Sequence, residues 1–173
     1  MAAIPFERVR ASSENASALY FEDVAFGCEY VSGCRPVTES DLVSFSDISG
    51  DRHPIHTDPE FARKTVFGQR ILHGPFGIAV ALGLFSEFAE FTDAAIAVTD
   101  IREWRFLAPV FIGDELTLRM RIESKRMISA GGRGVVQRRM ELVNQNGKVV
   151  QEGVMGLMMW CREPSAAQNG PVS

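Results

Sequence analysis

From residue 77 the chain reads GIAVALGLFSEFAEF, and on a helix Ile78, Val80, Ala81, Leu82, Leu84, Phe85 and Phe88 leave little polar face before Glu87 and Glu90. A helix that is apolar on nearly every side must be enclosed by other structure. Further along, the period shortens to two. Residues 115–122, ELTLRMRI, set Leu116, Leu118, Met120 and Ile122 against Thr117, Arg119 and Arg121, the pattern of a half-buried strand. Two more strands are predicted over 135–143 and 148–160, joined by the NQNG of 144–147, where Asn-Gly accommodates the positive φ of a hairpin turn. Residues 29–36 and 101–107 complete about five strands, mostly antiparallel because their connections are short. Ahead of the long helix, Thr38 is set to cap a short helix through Leu42, Val43 and Phe45, and Asp58 or Thr57 to cap another through Phe61, Ala62 and Lys64. Pro59 suits a first turn, where its missing N–H costs nothing. One enclosed helix and one antiparallel sheet predict an α+β domain with the sheet wrapped around the helix.

Composition narrows the setting. The 173 residues fit one compact domain, and 46% hydrophobic with 23% charged residues is ordinary for a globular chain. A net charge of −4 gives no electrostatic reason to expect nucleic acid as a partner. No run approaches the roughly 20 apolar residues that span a bilayer, and the N-terminus carries no apolar stretch of export-signal length, so no membrane partner and a cytoplasmic location are expected. Three cysteines without Cys-x-x-Cys spacing argue against a disulfide framework or a zinc knuckle. Residues 11–18 are small and polar and 164–173 have no apolar period, so 1–18 and 162–173 are expected to be flexible around a folded domain of 19–161.

The candidate chemistry is concentrated. All three histidines, His53, His56 and His73, fall within GDRHPIHTDPEFARKTVFGQRILHG, residues 50–74, together with Asp51, Pro54 and Asp58. A carboxylate and an imidazole five positions apart on a proline-stiffened loop can converge on one water from two sides. Adding water to a double bond conjugated with a thioester needs a base for the water, an acid for the α-carbon and a donor for the enolate oxygen. Asp51 and His56 satisfy the first two needs. Taken one at a time the same residues read blandly, Asp51 as a turn residue after Gly50, His56 as a structural histidine, and Gly74, Pro75 and Gly77 as shapers of a helix start.

GDRHPIHTDPEFA followed by ILHG resembles the hydratase signature of the MaoC-like family of (R)-specific enoyl-CoA hydratases and dehydratases, whose fold is the hot dog. YFEDVAFG near Tyr20 is similar to the family's opening segment, and WRFLAPVFIGDELTLRMRI to its strand pair after the central helix, so the resemblance covers almost all of residues 19–160. It implies an Asp51/His56 dyad with the backbone N–H of Gly74 as oxyanion donor, a placement that suits a helix N-terminus. Pro54, Asp58 and His73 take supporting roles. His53 departs from the family, which usually carries asparagine there; an imidazole nitrogen can stand in for the amide, so His53 is expected to support the loop.

The substrate implied is a small-molecule acyl thioester of coenzyme A or an acyl carrier protein, with no further cofactor. Arg63 and Arg70, or Lys64, Arg102, Arg105 and Arg133, are candidates for its phosphates, and Phe76, Ile78 and Leu82 for the walls of an acyl slot along the helix. The resemblance also implies a homodimer or higher homo-oligomer, with the Met-rich 154–160 strand available to its interface. Three other readings stay open. Asp51, His53, His56, Asp58 and His73 contain enough ligands for a two-histidine, one-carboxylate metal site, although His-x-x-His on an extended loop splays its rings, and no metal is expected. A hot-dog thioesterase would direct water at the carbonyl of the same substrates, and a non-catalytic acyl-thioester-binding module would only hold them.

Overall fold

A computed structural model describes residues 7–10, 17–128 and 131–162. Six strands form one sheet, β1 (Glu7–Arg10), β2 (Cys28–Pro36), β3 (Ala95–Phe106), β4 (Glu115–Met127), β5 (Arg133–Val143) and β6 (Val149–Trp160), in the order β1-β2-β4-β5-β6-β3. Every neighbouring pair is antiparallel except β1 with β2. The helices are α1 (Glu39–Ser49), α2 (Pro54–Thr57), α3 (Pro59–Arg63) and α4 (Gly74–Phe85). The sheet curls around α4, giving the α+β hot-dog arrangement.

Alternation builds the core. Leu116, Leu118, Met120 and Ile122 of β4 and Val136, Met140 and Leu142 of β5 point inward, where they meet Phe76, Val80, Ala81 and Leu84 of α4. Burying each large side chain of this set contributes about 1.5–3 kcal/mol. On the outer face of the sheet the intervening positions carry charge, with Arg121 on Glu141 at 2.8 Å and Arg139 on Glu123 at 2.7 Å. These are part-exposed pairs that contribute little to stability. Arg138 breaks the pattern, because its parity aims it inward between Val136 and Met140. Its side chain is fully buried, its guanidinium lies 4.2 Å above the Phe85 ring, and none of its nitrogens has a hydrogen-bond partner among the described residues. Burial pushes its pKa down to about 10.

The predicted caps of α1 and α3 are present. Thr38 accepts from the Asp41 N–H while the Asp41 carboxylate accepts from the Thr38 N–H, a reciprocal capping box. Asp58 accepts from the Glu60 and Phe61 N–H groups, with Pro59 in the first turn.

Three boundaries differ from the sequence reading. The central helix begins three residues earlier, at Gly74, and ends at Phe85 instead of continuing through Phe91. At its end Ser86 Oγ donates to Gly83 O and the Glu87 carboxylate turns away to accept from the Gly33 N–H at 2.8 Å, so the chain passes into a 3₁₀ turn at Ala89–Phe91. Strand β3 starts at Ala95 rather than 101, and as a sheet edge with three irregularities of register it shows no clean alternation. Within residues 1–18, expected to be flexible, Glu7–Arg10 form β1, a four-residue strand too short and too charged to display a period. Apart from Arg162, the expected C-terminal tail lies outside the described residues. Among the described residues no helix is long and apolar enough to cross a membrane.

Candidate active site

The site begins where α1 stops. Gly50 adopts the left-handed conformation, φ 74°, and its N–H closes the helix on Ser46 O, turning the chain sharply into Asp51. A ladder of local hydrogen bonds then fixes the loop. The Asp51 N–H donates to Ser49 Oγ, the His53 N–H donates to Asp51 Oδ1 at 3.1 Å, and the Ile55 N–H donates to His53 Nδ1 at 3.2 Å. His53 is therefore the N-cap of α2, with Pro54 as its first residue. A ring nitrogen does here what an asparagine side-chain oxygen does at such a position.

His56, on α2, has a defined tautomer. Its Nδ1 lies 2.7 Å from the carbonyl oxygen of Ile71, which can only accept, so Nδ1 carries the proton and Nε2 presents its lone pair. That Nε2 is 3.9 Å from Asp51 Oδ2. The separation is too long for a direct hydrogen bond and suits a single water bonded to both. Burial holds His56 below the ordinary imidazole pKa, the Ile71 carbonyl opposing it and the His73 ring adding to it. The His53 N–H holds the Asp51 carboxyl below the usual carboxylate range, slight desolvation opposing and the facing imidazoles assisting.

His73 supports both partners. Almost wholly buried, it donates from Nε2 to the Asp51 carbonyl oxygen at 2.9 Å and stacks on the His56 ring, centroids 3.8 Å apart and planes at 24°. It is also the residue before α4 and gives that helix no side-chain cap. The N–H of Gly74, first residue of α4, consequently has no acceptor among the described residues. A Cβ at Gly74 would stand 2.9 Å from Cε1 of Phe106, so only glycine allows the ring this close.

Asp51, His56 and His73 bring their donor atoms within 4.8 Å of one another, a set that invites a metal. Its two imidazoles are stacked. Two stacked rings send their lone pairs side by side, whereas an ion at about 2.0–2.1 Å from each nitrogen requires them to converge. His73 Nε2 is moreover committed as a donor, and His53 Nδ1 and Asp58 Oδ1 accept in helix caps.

His56 and Gly74 open into a cavity of about 360 Å³ walled by Phe67, Ile71, Phe106 and Gln151. The expected walls are elsewhere. Phe76 is buried against Phe45 beneath the Arg35 guanidinium, and Ile78 and Leu82 pack against the core. Phe106 was within reach of the sequence, since it lies in the WRFLAPVFIGDELTLRMRI segment that carries the resemblance. Gln151 carried a weaker signal as a polar residue in an apolar strand, and Phe67 and Ile71 lie within the 50–74 segment with nothing in their type to mark them as cavity walls. Arg63 and Arg70 flank a separate depression of about 200 Å³, where Arg63 pairs with Glu60 at 2.8 Å and Arg70 grips Glu39 through two bonds of 2.8 and 2.6 Å. Arg102 pairs with Asp100, and Arg133 lies over the Trp160 ring.

Comparison with known proteins matches residues 29–145 to the family described as MaoC like domain. The chain is 36% identical over 107 residues to Protein MaoC of Klebsiella aerogenes, covering 62% of this chain and 31% of that protein. It is 36% identical over 105 residues to a 3-hydroxybutyryl-CoA dehydratase of Methylorubrum extorquens (60% and 64%) and 34% identical over 109 residues to an (R)-specific enoyl-CoA hydratase of Rhodospirillum rubrum (61% and 71%). It thus spans less than two thirds of the first two. Among solved structures, a monoamine oxidase regulatory protein of Archaeoglobus superposes with a TM-score of 0.79 at 32% identity, over 86% of this chain and 98% of that one. A Mycobacterium tuberculosis protein with a double hotdog fold superposes with a TM-score of 0.72 at 18% identity, over 89% and 47%.

Proposed function

This chain belongs to the MaoC-like domain family, and on that premise we propose that it is a hydro-lyase acting on an enoyl thioester, adding water to the double bond or removing it from the 3-hydroxyacyl product. The observation that carries the reading is that His56 Nε2 faces Asp51 Oδ2 across 3.9 Å, a gap that one water bonded to both would bridge. In the hydration direction the resting pair has no proton to give, because Asp51 is ionised and the one N–H of His56 is held by Ile71 O. The water therefore supplies both hydrogens of the product. One O–H proton passes to the pair as the water oxygen bonds to Cβ, and the π electrons move onto the thioester oxygen, where the Gly74 N–H donates to the developing charge. The enolate then collapses and its α-carbon takes the same proton back from the pair. Dehydration is the reverse, and one pair serving one face of the double bond delivers both hydrogens to that face.

The reaction is redox-neutral and its proton chemistry is complete in these residues, so no cofactor is invoked beyond the coenzyme A or acyl-carrier thioester of the substrate. The apolar cavity beside His56 and Gly74 supports an acyl group seated there, and Arg63, Lys64 and Arg70 near the motif are candidates for the carrier's phosphates, Arg63 and Arg70 on exchange of their Glu60 and Glu39 partners. A homodimer is part of the reading. Strand β3 is an unpaired edge exposing Val98, Ile101 and Phe106, and Phe106 also walls the cavity. Three free cysteines suit a reducing compartment, and a cytoplasmic setting is proposed. The testing experiment is a panel of enoyl thioesters, short, long and branched, followed by loss of conjugated-enoyl absorbance alongside free thiol. Absorbance loss without thiol is the expected result, and thiol release with the double bond intact would make the protein a thioesterase.

A further inference from the structure

Gln151 is 3% exposed in β6, and its amide bridges two distant elements. Trp104 Nε1, which can only donate, gives its proton to Gln151 Oε1 at 3.0 Å, and this fixes the amide's orientation. Gln151 Nε2 in turn donates to the carbonyl oxygen of Gly74 at 3.1 Å. The surrounding backbone is shaped to admit both side chains. A Cβ at Gly77 would overlap the Gln151 amide, and one at Gly153 would overlap the Trp104 indole.

At the start of α4 the Phe76 N–H closes a turn on His73 O at 3.1 Å, but little else restrains the backbone. His73 contributes no side-chain cap, Pro75 has no N–H, and Gly74 has the softest backbone of any residue. We infer that Gln151 is a positioning residue of this site, oriented by Trp104 and holding the Gly74 carbonyl so that the N–H of the same residue faces the thioester oxygen. The inference rests on the reading of Gly74 as the oxyanion donor. Gln151 also walls the cavity that His56 enters, so its amide is fixed within the space the acyl thioester fills. An amide is the group the position needs, since one end must accept from an indole and the other donate to a carbonyl. Glutamate would only accept and would face the Gly74 oxygen with charge. Methionine would fill the space with neither function.

The test compares Gln151→Met, Gln151→Glu, Trp104→Phe and the Trp104→Phe/Gln151→Met double variant in the full chain. It reads kcat and KM for enoyl-thioester hydration together with the ¹H–¹⁵N resonance of Gly74. Displacing an oxyanion donor costs transition-state stabilisation more than ground-state binding, so Gln151→Met should lose about 10- to 100-fold in kcat with KM within about threefold. Gln151→Glu should lose at least as much, Trp104→Phe less, and the double variant no more than Gln151→Met, since Trp104 acts through Gln151. The Gly74 resonance should move in every variant. A folded Gln151→Met with kcat within twofold of the wild type, an effect on KM alone, or an unmoved Gly74 resonance would overturn the inference. Should Gln151→Met fail to fold, Trp104→Phe, which removes one hydrogen bond, decides between the same outcomes. A wild-type protein that hydrates no enoyl thioester would sink the functional reading instead, and the Gly74 resonance would still report whether Gln151 and Trp104 hold that residue.

Discussion

Asp51 and His56 are pushed the same way by unlike causes. A backbone N–H stabilises the carboxylate, and burial disfavours the imidazolium. Both groups are thus unprotonated at neutral pH, the state in which the pair can take a proton from water. The proposed chemistry then has an acid limb only below the ordinary imidazole pKa of about 6.5, because His56 must be protonated before the rate falls. A profile of kcat/KM against pH should stay level through neutrality and bend with a midpoint under that value; a midpoint above it would contradict the assignment. Stability follows the same sign. The folded chain protonates His56 less readily than the unfolded chain does, so its contribution is present above the ordinary value and is lost as pH falls through the lowered one. At this scale the resemblance of the motif implies Asp51 and His56, and the sequence is silent about their orientation. The Ile71 carbonyl that sets the His56 tautomer lies 15 residues away and contributes only backbone, which leaves no mark on residue type.

Among the elements, α2 shows how a four-residue helix is held where His56 needs it. Its N-cap is an imidazole nitrogen accepting from the Ile55 N–H, a bond that asparagine can also make. His53→Asn should therefore preserve both stability and activity, while His53→Ala should cost about 0.5–2 kcal/mol in denaturant unfolding and lower kcat by loosening the dyad loop. Equal behaviour of the two variants would show that the cap is idle. Strand β4 was legible because one face is buried and the other partly wet, so its alternation is printed in the residues, whereas β5 and β6 are buried on both faces over much of their length and were marked by the Asn-Gly turn between them. The same alternation places Arg138 on the inner face of β5, yet its charge argues the opposite, and only packing against Phe85 reveals that the position is enclosed. Strand β3 was half-legible because an edge answers to no buried face along its length. The cavity was the least legible part. Its walls come from the 64–70 loop, the end of β3 and the start of β6, and a sequence read locally has no means of bringing Phe67, Phe106 and Gln151 together.

For the molecule as a whole, the unpaired side of β3 is the feature that a single chain leaves unresolved. A 12-residue edge strand with Val98 and Ile101 more than 40% exposed is an invitation to pair with a second copy, and Phe106 carries that edge into the cavity wall. The protein should sediment as a dimer, and Ile101→Asp should shift it toward monomer with loss of activity. A wild-type monomer at micromolar concentration, or an Ile101→Asp dimer, would rule out β3 pairing. The proposed activity depends on two side chains sharing one water. Its most direct test is the hydration rate of Asp51→Asn and of His56→Ala on the enoyl thioester that the wild type turns over best, with circular dichroism confirming that each variant is folded. Each substitution removes half of the proton-handling pair and should lower kcat/KM by about 10²-fold or more. Turnover close to the wild-type rate in either folded variant would contradict the dyad.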